Sequence, residues 1–468
     1  PLRPILFLVS AASSYRLQKY VAEHLAREKT RVAFLYEHEL ADSIREDLRT
    51  FASDFGMTVH ELVPDQGGPL TPALGRHPRP WVARILNLVS RLVHAPRLGS
   101  DLLLLRRHRE ALASRLAAAI TLLRTLNVAA MVVSEDGISA PLPILAAARH
   151  LGVPIIDVPY GYGVRRDLEL DFDNKARRGA LLRPRGLCGL LIRMLAPQWL
   201  KRGRHAGALM FPSPYIIAAE SLGITVRDAW IIHGGYADRV CVESEQMKRV
   251  YVEEGIPVEK LALTGSPYCD VMVRALDANP EAEAVLRQPR RIVPGMTRVL
   301  VSWPPSYHGD RAAFSEFSSY REMSLAVLGW LAAQPACVVT VSLHPATLAE
   351  DRQALIDIGV QLTDQYVIEL IPQHDVFVTY FSSTIRWAVA AGKPVINIDL
   401  YKLGLTVYDA APGVLKVSTL ADFKRELTRL AASDAAFAGA AAEQIAVADE
   451  WGTLDGMNTG RVAAAVCA

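Results

Sequence analysis

The sequence predicts an α/β protein of two Rossmann-like domains. Three observations carry this. The chain has 468 residues, more than one ordinary α/β core uses. Short apolar runs alternate with stretches of helical spacing, first from Pro4 and afresh from Arg298. Several apolar runs end in small or polar residues, as strands do where an open parallel sheet binds its ligand.

Composition sets the outer limits. Hydrophobic residues make up 51 % of the chain, enough for a large core and too many for wholesale disorder. The net charge is +2, which argues against general nucleic-acid binding. Five scattered cysteines form no ligand or disulfide pattern, as expected for a reduced, cytoplasmic protein. Leu2 to Ala12 reads as a first strand and not as a signal peptide, and no run approaches a membrane span.

Pro4 to Val9 is the first strand, and Ser10, Ser13 and Ser14 follow it in a small-residue loop. Tyr15 to Arg27 has helical spacing and Arg31 to Tyr36 is a second strand. The G-x-G-x-x-G fingerprint is absent, so neither a nicotinamide nor a flavin cofactor is indicated. Residues 64 to 80, rich in Gly and Pro, read as a loop and 81 to 126 as helix. Ala129 to Val133 is a strand ending in Ser134-Glu135-Asp136-Gly137. Helix 141–151 and strand 153–158 follow, the strand running out into Tyr160.

Residues 165 to 205 interrupt the alternation as a helical insertion. Within it, 183 to 204 mixes Arg and Lys with Leu, Ile, Met and Trp199. Its arginines either cover the insertion's own apolar surface, rest on anionic lipid as a peripheral contact, or hold an acidic acceptor. Asp171-Phe172-Asp173 has the form of a D-x-D metal motif but reads as a solvated loop, and no metal is expected. Strands are expected at 206–211, 230–233, 239–242 and 260–264, with a helix at 244–254.

Residues 274 to 296 read as a linker. The expected domains are 1–285 and 286–430, with helices 431–468 packing back towards the first domain. In the second domain, strand 298–301 opens the loop Ser302-Trp303-Pro304-Pro305-Ser306, and a helix near 313–333 follows. Val338 to Leu343 ends in His344-Pro345. Val376 to Tyr380 ends in Ser382-Ser383-Thr384 before an alanine-rich helix that Gly392 and Pro394 close. Helix amides preceded by hydroxyls suit a phosphate, and capping of the helix is the plainer role for the same serines. Proline keeps His344 extended and directs its side chain away from a helix. A carboxylate near another acid, as in Glu135-Asp136, has its proton affinity raised and can act as a base. The plainer role of Asp136-Gly137 is a turn.

Taken together, the acid-acid-Gly, His-Pro and Ser-Ser strand ends resemble bacterial sialyltransferases of the GT-B type. The resemblance implies two Rossmann-like domains facing across a cleft. It implies a metal-independent, inverting transfer from a CMP-sugar to a glycan or other acceptor. By it, Asp136 is the base with Glu135 beside it, and His344 contacts the CMP phosphate and acts as acid. Ser382 and Ser383 bind that phosphate. Pro345, Thr384, Ser302, Trp303 and Glu369 are further nucleotide candidates, Glu369 for the ribose. Ser10, Ser13, Ser14 and Tyr160 lie on the acceptor side. The donor sugar would be of the nonulosonic-acid kind, sialic acid-like or Kdo-like.

Thr264-Gly-Ser-Pro-Tyr-Cys-Asp270, the run Ala388 to Ile396 and Leu454-Asp455-Gly456 resemble segments of a wider group. Capsule Kdo transferases, UDP-GlcNAc 2-epimerases and CDP-glycerol polymer enzymes share parts of these. Ser383-Thr384-Ile385-Arg386-Trp387 departs from the epimerase pattern, having no acid to hold a ribose. A UDP-sugar transferase or an epimerase-like enzyme is the alternative. A non-catalytic, membrane-associated scaffold of polysaccharide assembly is the reading from a different class.

Overall fold

The computed structural model describes residues 3–37, 40–64, 100–137, 140–225, 228–309, 315–404, 406–409 and 411–468. Of the loop and helix expected over 64–126, residues 65–99 lie outside the described residues. The chain divides into two compact units, Pro1–Val242 with Lys248–Leu263 and Gly460–Ala468, and Glu243–Met247 with Thr264–Thr459.

The first unit is built on a parallel sheet of seven strands. They are β1 (Ile5–Val9), β2 (Val32–Glu37), β3 (Thr58–Leu62), β4 (Ala130–Val133), β5 (Ile155–Asp157), β6 (Arg239–Val242) and β7 (Leu261–Leu263). Their order is β3-β2-β1-β4-β5-β6-β7. All five residues of β1 and all four of β4 are buried, which is why both runs are apolar without alternation. Phe7, Phe34, Phe51 and Tyr15 pack ring against ring between the sheet and its helices.

The second unit has a parallel six-stranded sheet. Its strands are β8 (Thr297–Trp303), β9 (Cys337–Leu343), β10 (Leu362–Thr363), β11 (Val376–Thr379), β12 (Val395–Ile398) and β13 (Val414–Val417). The order β10-β9-β8-β11-β12-β13 reverses direction between β8 and β11, just as the first sheet reverses between β1 and β4. Each reversal opens a crevice at the carboxyl ends of the two strands, where doubly wound sheets take their ligands.

Several expectations change. Residues 206–211 do not form a strand. Only a bridge from Leu209 to Leu182 is present, and turns lead into the helix Ser213–Leu222. Residues 230–233 are bent and not extended, because this loop carries His233 onto the end of β5. The short strands β3, β10 and β13 were not anticipated. The helix expected near 313–333 is Tyr320–Ala332, capped by Ser319. Asp171 and Asp173 stand on the helix Arg165–Arg177, not in a solvated loop. Asp171 pairs with Lys175, and Asp173 with Arg204 and His205. The division at Leu263 and Thr264 places the expected linker inside the second unit, where Leu276, Ala282, Val285 and Ile292 make a small core. Of the last helices, only Gly460–Ala468 belongs to the first unit.

The Thr-Gly-x-Pro-x-x-Asp segment has a structural cause within the second unit. Asp270 is 1 % exposed. Its carboxylate accepts from the amides of Asn458 (3.0 Å) and Thr459 (2.7 Å), from Asn458 Nδ2 (2.6 Å) and from Thr459 Oγ1 (2.7 Å). A Cβ on Gly265 would lie 1.7 Å from Asn458 Oδ1, so glycine alone permits the approach, and φ is +78° there. Asp270→Ala strands two buried amides and a buried side-chain amide. We expect it to lower the stability of the second unit by about 3 kcal/mol, read as a shift in urea midpoint.

Candidate functional site

In the first unit the crevice lies between β1 and β4. Gln18 Nε2 donates to the Leu8 carbonyl (3.0 Å) and to Ser134 Oγ (3.2 Å), tying the first helix to both strands. Ser14 is fully buried. Its hydroxyl accepts from the Ala11 amide (3.0 Å) and donates to the Ala11 carbonyl (2.8 Å), so it caps the helix and does not reach a ligand. Ser10 is exposed and Ser13 half-buried. Ser13 also hydrogen-bonds Tyr160, whose hydroxyl donates to Glu135 Oε1 at 2.9 Å. Burial, then the Glu135 charge, raises the Tyr160 hydroxyl far above its ordinary range. Glu135, Tyr160 and Ser13 therefore form one connected, partly open group.

Asp136 does not belong to that open group. It is 0 % exposed, its Oδ2 accepts from the Ala237 amide, and its carboxylate also accepts from the Gly235 amide. Asp136, expected to be the base, is thus held by backbone amides at the end of β4 and buried from solvent. Gly137 is forced by the same packing, since a Cβ there would sit 1.9 Å from the Ile231 carbonyl oxygen.

Beneath the surface Asp136 joins Asp157 and His233. One ligating atom from each lies within 4.8 Å of the others, and all three residues are buried. His233 Nδ1 lies 2.7 Å from Asp157 Oδ2, and its ring stacks on Tyr251 at 5.2 Å. Oδ1 of Asp136 and Oδ1 of Asp157 have no hydrogen-bond partner among the described residues. Burial, then the Asp157 charge, pushes the Asp136 carboxyl up to about 7. Burial, then Glu135, raises Asp157 well above the carboxylate range. Burial lowers His233 against the pull of Asp136 and Glu135. Each shift disfavours the charged form, and burial is the first cause of all three. Oxygen and imidazole donors of this set suit a divalent metal, but Asp136 Oδ2 and His233 Nδ1 are already engaged. Asp157 and His233 were not among the expected site residues. An aspartate closing the otherwise apolar Ile155-Ile156 strand was the signal for the first.

In the second unit three loops meet beyond the sheet. His344 is exposed after β9 and its Nδ1 accepts from the Ala346 amide at 3.0 Å. That bond puts the proton of the neutral ring on Nε2. The Tyr307 ring stands edge-on to His344 at 6.4 Å, and the Leu348 amide donates to Ser306 Oγ at 2.9 Å. Pro345 is exposed beside His344. After β11, Phe381 has φ 42°, a left-handed conformation, and its amide donates to Asn397 Oδ1 at 3.1 Å. Ser382 Oγ accepts from the Thr384 amide (3.2 Å) and from Thr384 Oγ1 (2.7 Å), while Ser383 is exposed. The helix that follows, Ile385–Ala390, has only six residues, so its dipole adds less than the sequence implied.

Ser302 is half-buried and its carbonyl accepts from Thr379 Oγ1 at 3.1 Å. Trp303 is 2 % exposed and its Nε1 donates to Ser324 Oγ at 2.8 Å. It is a core residue, which corrects its expected nucleotide contact. Glu369 is half-buried on Val367–Leu370 and its side chain makes no hydrogen bond among the described residues. Arg386 is fully buried, paired with Glu243 and stacked 4.0 Å from the Trp387 ring centroid.

Two Rossmann-like α/β units with parallel sheets of seven and six strands match the GT-B fold. Among solved structures, the chain is similar to CalG4, the calicheamicin glycosyltransferase, at TM-score 0.52 and 14 % identity over 99 % of this chain and 97 % of that one. It is similar to a Listeria monocytogenes protein described as a UDP-N-acetylglucosamine 2-epimerase, at TM-score 0.52 and 12 % identity over 100 % and 96 %. It is also similar to S. aureus MnaA solved with UDP, at TM-score 0.50 and 11 % identity over 98 % and 95 %. No protein-family model matches the chain, and no curated protein matches it significantly.

The buried acids give a pH dependence. A carboxyl whose folded pKa exceeds its unfolded value keeps its proton longer when folded. Between the ordinary value of 3.8 and about 7 the folded state therefore binds more protons, and stability falls as pH rises through that window. We expect the melting temperature to drop from pH 5 to pH 8. Asp136→Asn, which can donate to Asp157 without a charge, should flatten that slope in a pH series of thermal melts.

Proposed function

We propose that the protein is a nucleotide-sugar-dependent glycosyltransferase. The observation that supports this most is the strand-end group of the second unit. His344 presents an imidazole whose neutral form carries its proton on Nε2, and Ser383 and Ser382 add hydroxyls at the reversal of the sheet. Such donors suit a phosphate that gains charge as it leaves. Glu135 replaces Asp136 as the base in this reading, because it is the carboxylate that is partly open. It takes the proton of an acceptor hydroxyl as that oxygen bonds to the anomeric carbon. The bond from that carbon to the phosphate oxygen breaks, and His344, Ser382 and Ser383 stabilise the departing nucleotide. Neither a metal nor a cofactor beyond the donor takes part.

The donor is either a UDP-sugar or a CMP-activated nonulosonic acid. The similar folds, one of them solved with UDP, favour UDP, and the short His-Pro and Ser-Ser motifs favour CMP. We take UDP as the first candidate. The buried Arg386–Glu243 pair speaks against epimerisation, since it leaves no acid for the ribose at that loop. Thermal shifts with UDP, CMP and GDP decide the base, and stabilisation by none of them would refute the transferase reading. Glu135→Gln should lower turnover by about 10²–10⁴-fold with the melting temperature unchanged. His344→Ala should lower it by about 10²–10³-fold. Near-normal turnover in Glu135→Gln would remove it as the base.

A peripheral membrane contact is the second element of the proposal. On the helix Gly186–Leu195, Leu187 (46 %), Leu190 (50 %) and Met194 (65 %) are exposed along one face, while Cys188 and Ile192 are buried. The apolar stripe is therefore not covered by its own arginines. Arg185 and Arg193 are exposed beside it, the pattern of a helix lying in an anionic interface. No helix of the described residues is long and apolar enough to cross a membrane. Co-sedimentation with vesicles containing phosphatidylglycerol, lost in the Leu190→Asp/Met194→Asp double variant, is the expected result. Equal sedimentation of that variant would refute the contact.

A further inference from the structure

We infer that the first unit holds a site for an acidic saccharide, a sugar phosphate or a uronate, beside the loop 231–237. The site is a cavity of about 850 Å³. Its wall carries Arg149, Arg165, Lys201, Arg202 and Lys260 against only two acids, Glu169 and Asp228, a positive excess of three. Low-dielectric walls concentrate the potential of such an excess. The volume is far more than a single inorganic anion fills, and it lies within the range of organic ligand sites, roughly 300–1,000 Å³.

The cations are held in place. Lys201 is 6 % exposed and pairs with Glu169. The Lys260 ammonium donates to the carbonyls of Ala237 (2.7 Å) and Gly234 (3.2 Å), and Arg149 Nη2 donates to the Tyr236 carbonyl at 2.8 Å. Arg165 pairs with Asp228 at 2.6 Å. Carbonyls satisfy the geometry of Lys260 and Arg149 but do not cancel their charge, so both remain attractive to an anion. Arg202 is exposed, and its side chain makes no hydrogen bond or ion pair among the described residues. It is the cation available to close on a ligand directly. Trp230, also on the wall, is half-buried and fixed by a 3.1 Å bond from its Nε1 to the Gln198 carbonyl. A fixed aromatic beside cations selects a ring that carries an anion, which is the chemistry of an acidic sugar.

The floor of the cavity includes Gly234 and Gly235, and Gly235 donates its amide to Asp136. A ligand there would press on the loop that holds the buried acids. The inference does not rest on the transferase reading.

Isothermal titration of the full chain tests it with glucose 1-phosphate, glucuronate and glucose. Binding of glucose 1-phosphate or glucuronate but not of glucose is expected. Which of the two binds tells phosphate from carboxylate. Arg202→Glu, at a surface position, should weaken that binding at least tenfold, and Arg202→Lys should largely retain it. The affinity should survive in the Ser382→Ala/Ser383→Ala variant, which separates this site from a donor site in the second unit. No binding of either acid, equal binding of glucose, or full affinity in Arg202→Glu would overturn the proposal. So would loss in the serine variant.

Discussion

The burial of Asp136 is the constraint on which the first unit depends. A carboxyl at the end of β4 is taken out of water and given two backbone amides in exchange. This fixes the loop 231–237 over the strand ends, sets His233 on Asp157 and requires glycine at 137. Desolvation outweighs the amide bonds, which is why the proton affinity rises and does not fall. Glu135, one residue earlier in the same loop, is only half-buried. One buried acid and one half-buried acid thus arise from adjacent positions.

Much of this was readable from residue order. Strands such as β1, β4, β9 and β11 are continuous apolar runs bounded by polar loops, and parallel sheets bury such runs on both faces. The loops themselves were also readable, because Ser134-Glu135-Asp136 and His344-Pro345 stand at strand ends in any register. What failed was local. Trp303 ends a strand as a ligand contact would, and only the position of Ser324 across the helix Tyr320–Ala332 shows it to be core. The short strands β3 and β10 carry polar residues because they lie at sheet edges, which a pattern search passes over.

The choice between the two acids could not be read in advance. It depends on a loop about a hundred positions later, whose Ala237 amide finds Asp136 at a separation of 101 residues. The same holds for Asp157 and His233, 76 residues apart. Short motifs locate the strand end, and long-range contacts decide which of its side chains faces solvent.

The first unit is also assembled from distant pieces. Arg239 Nη1, at the start of β6, donates to the Ala465 carbonyl at 2.9 Å, across 226 residues, and Gly460–Ala468 belongs to the first unit. During synthesis the ribosome delivers that segment only after every residue of the intervening unit has emerged. Until then Arg239 lacks the Ala465 carbonyl, and the first unit lacks its last segment.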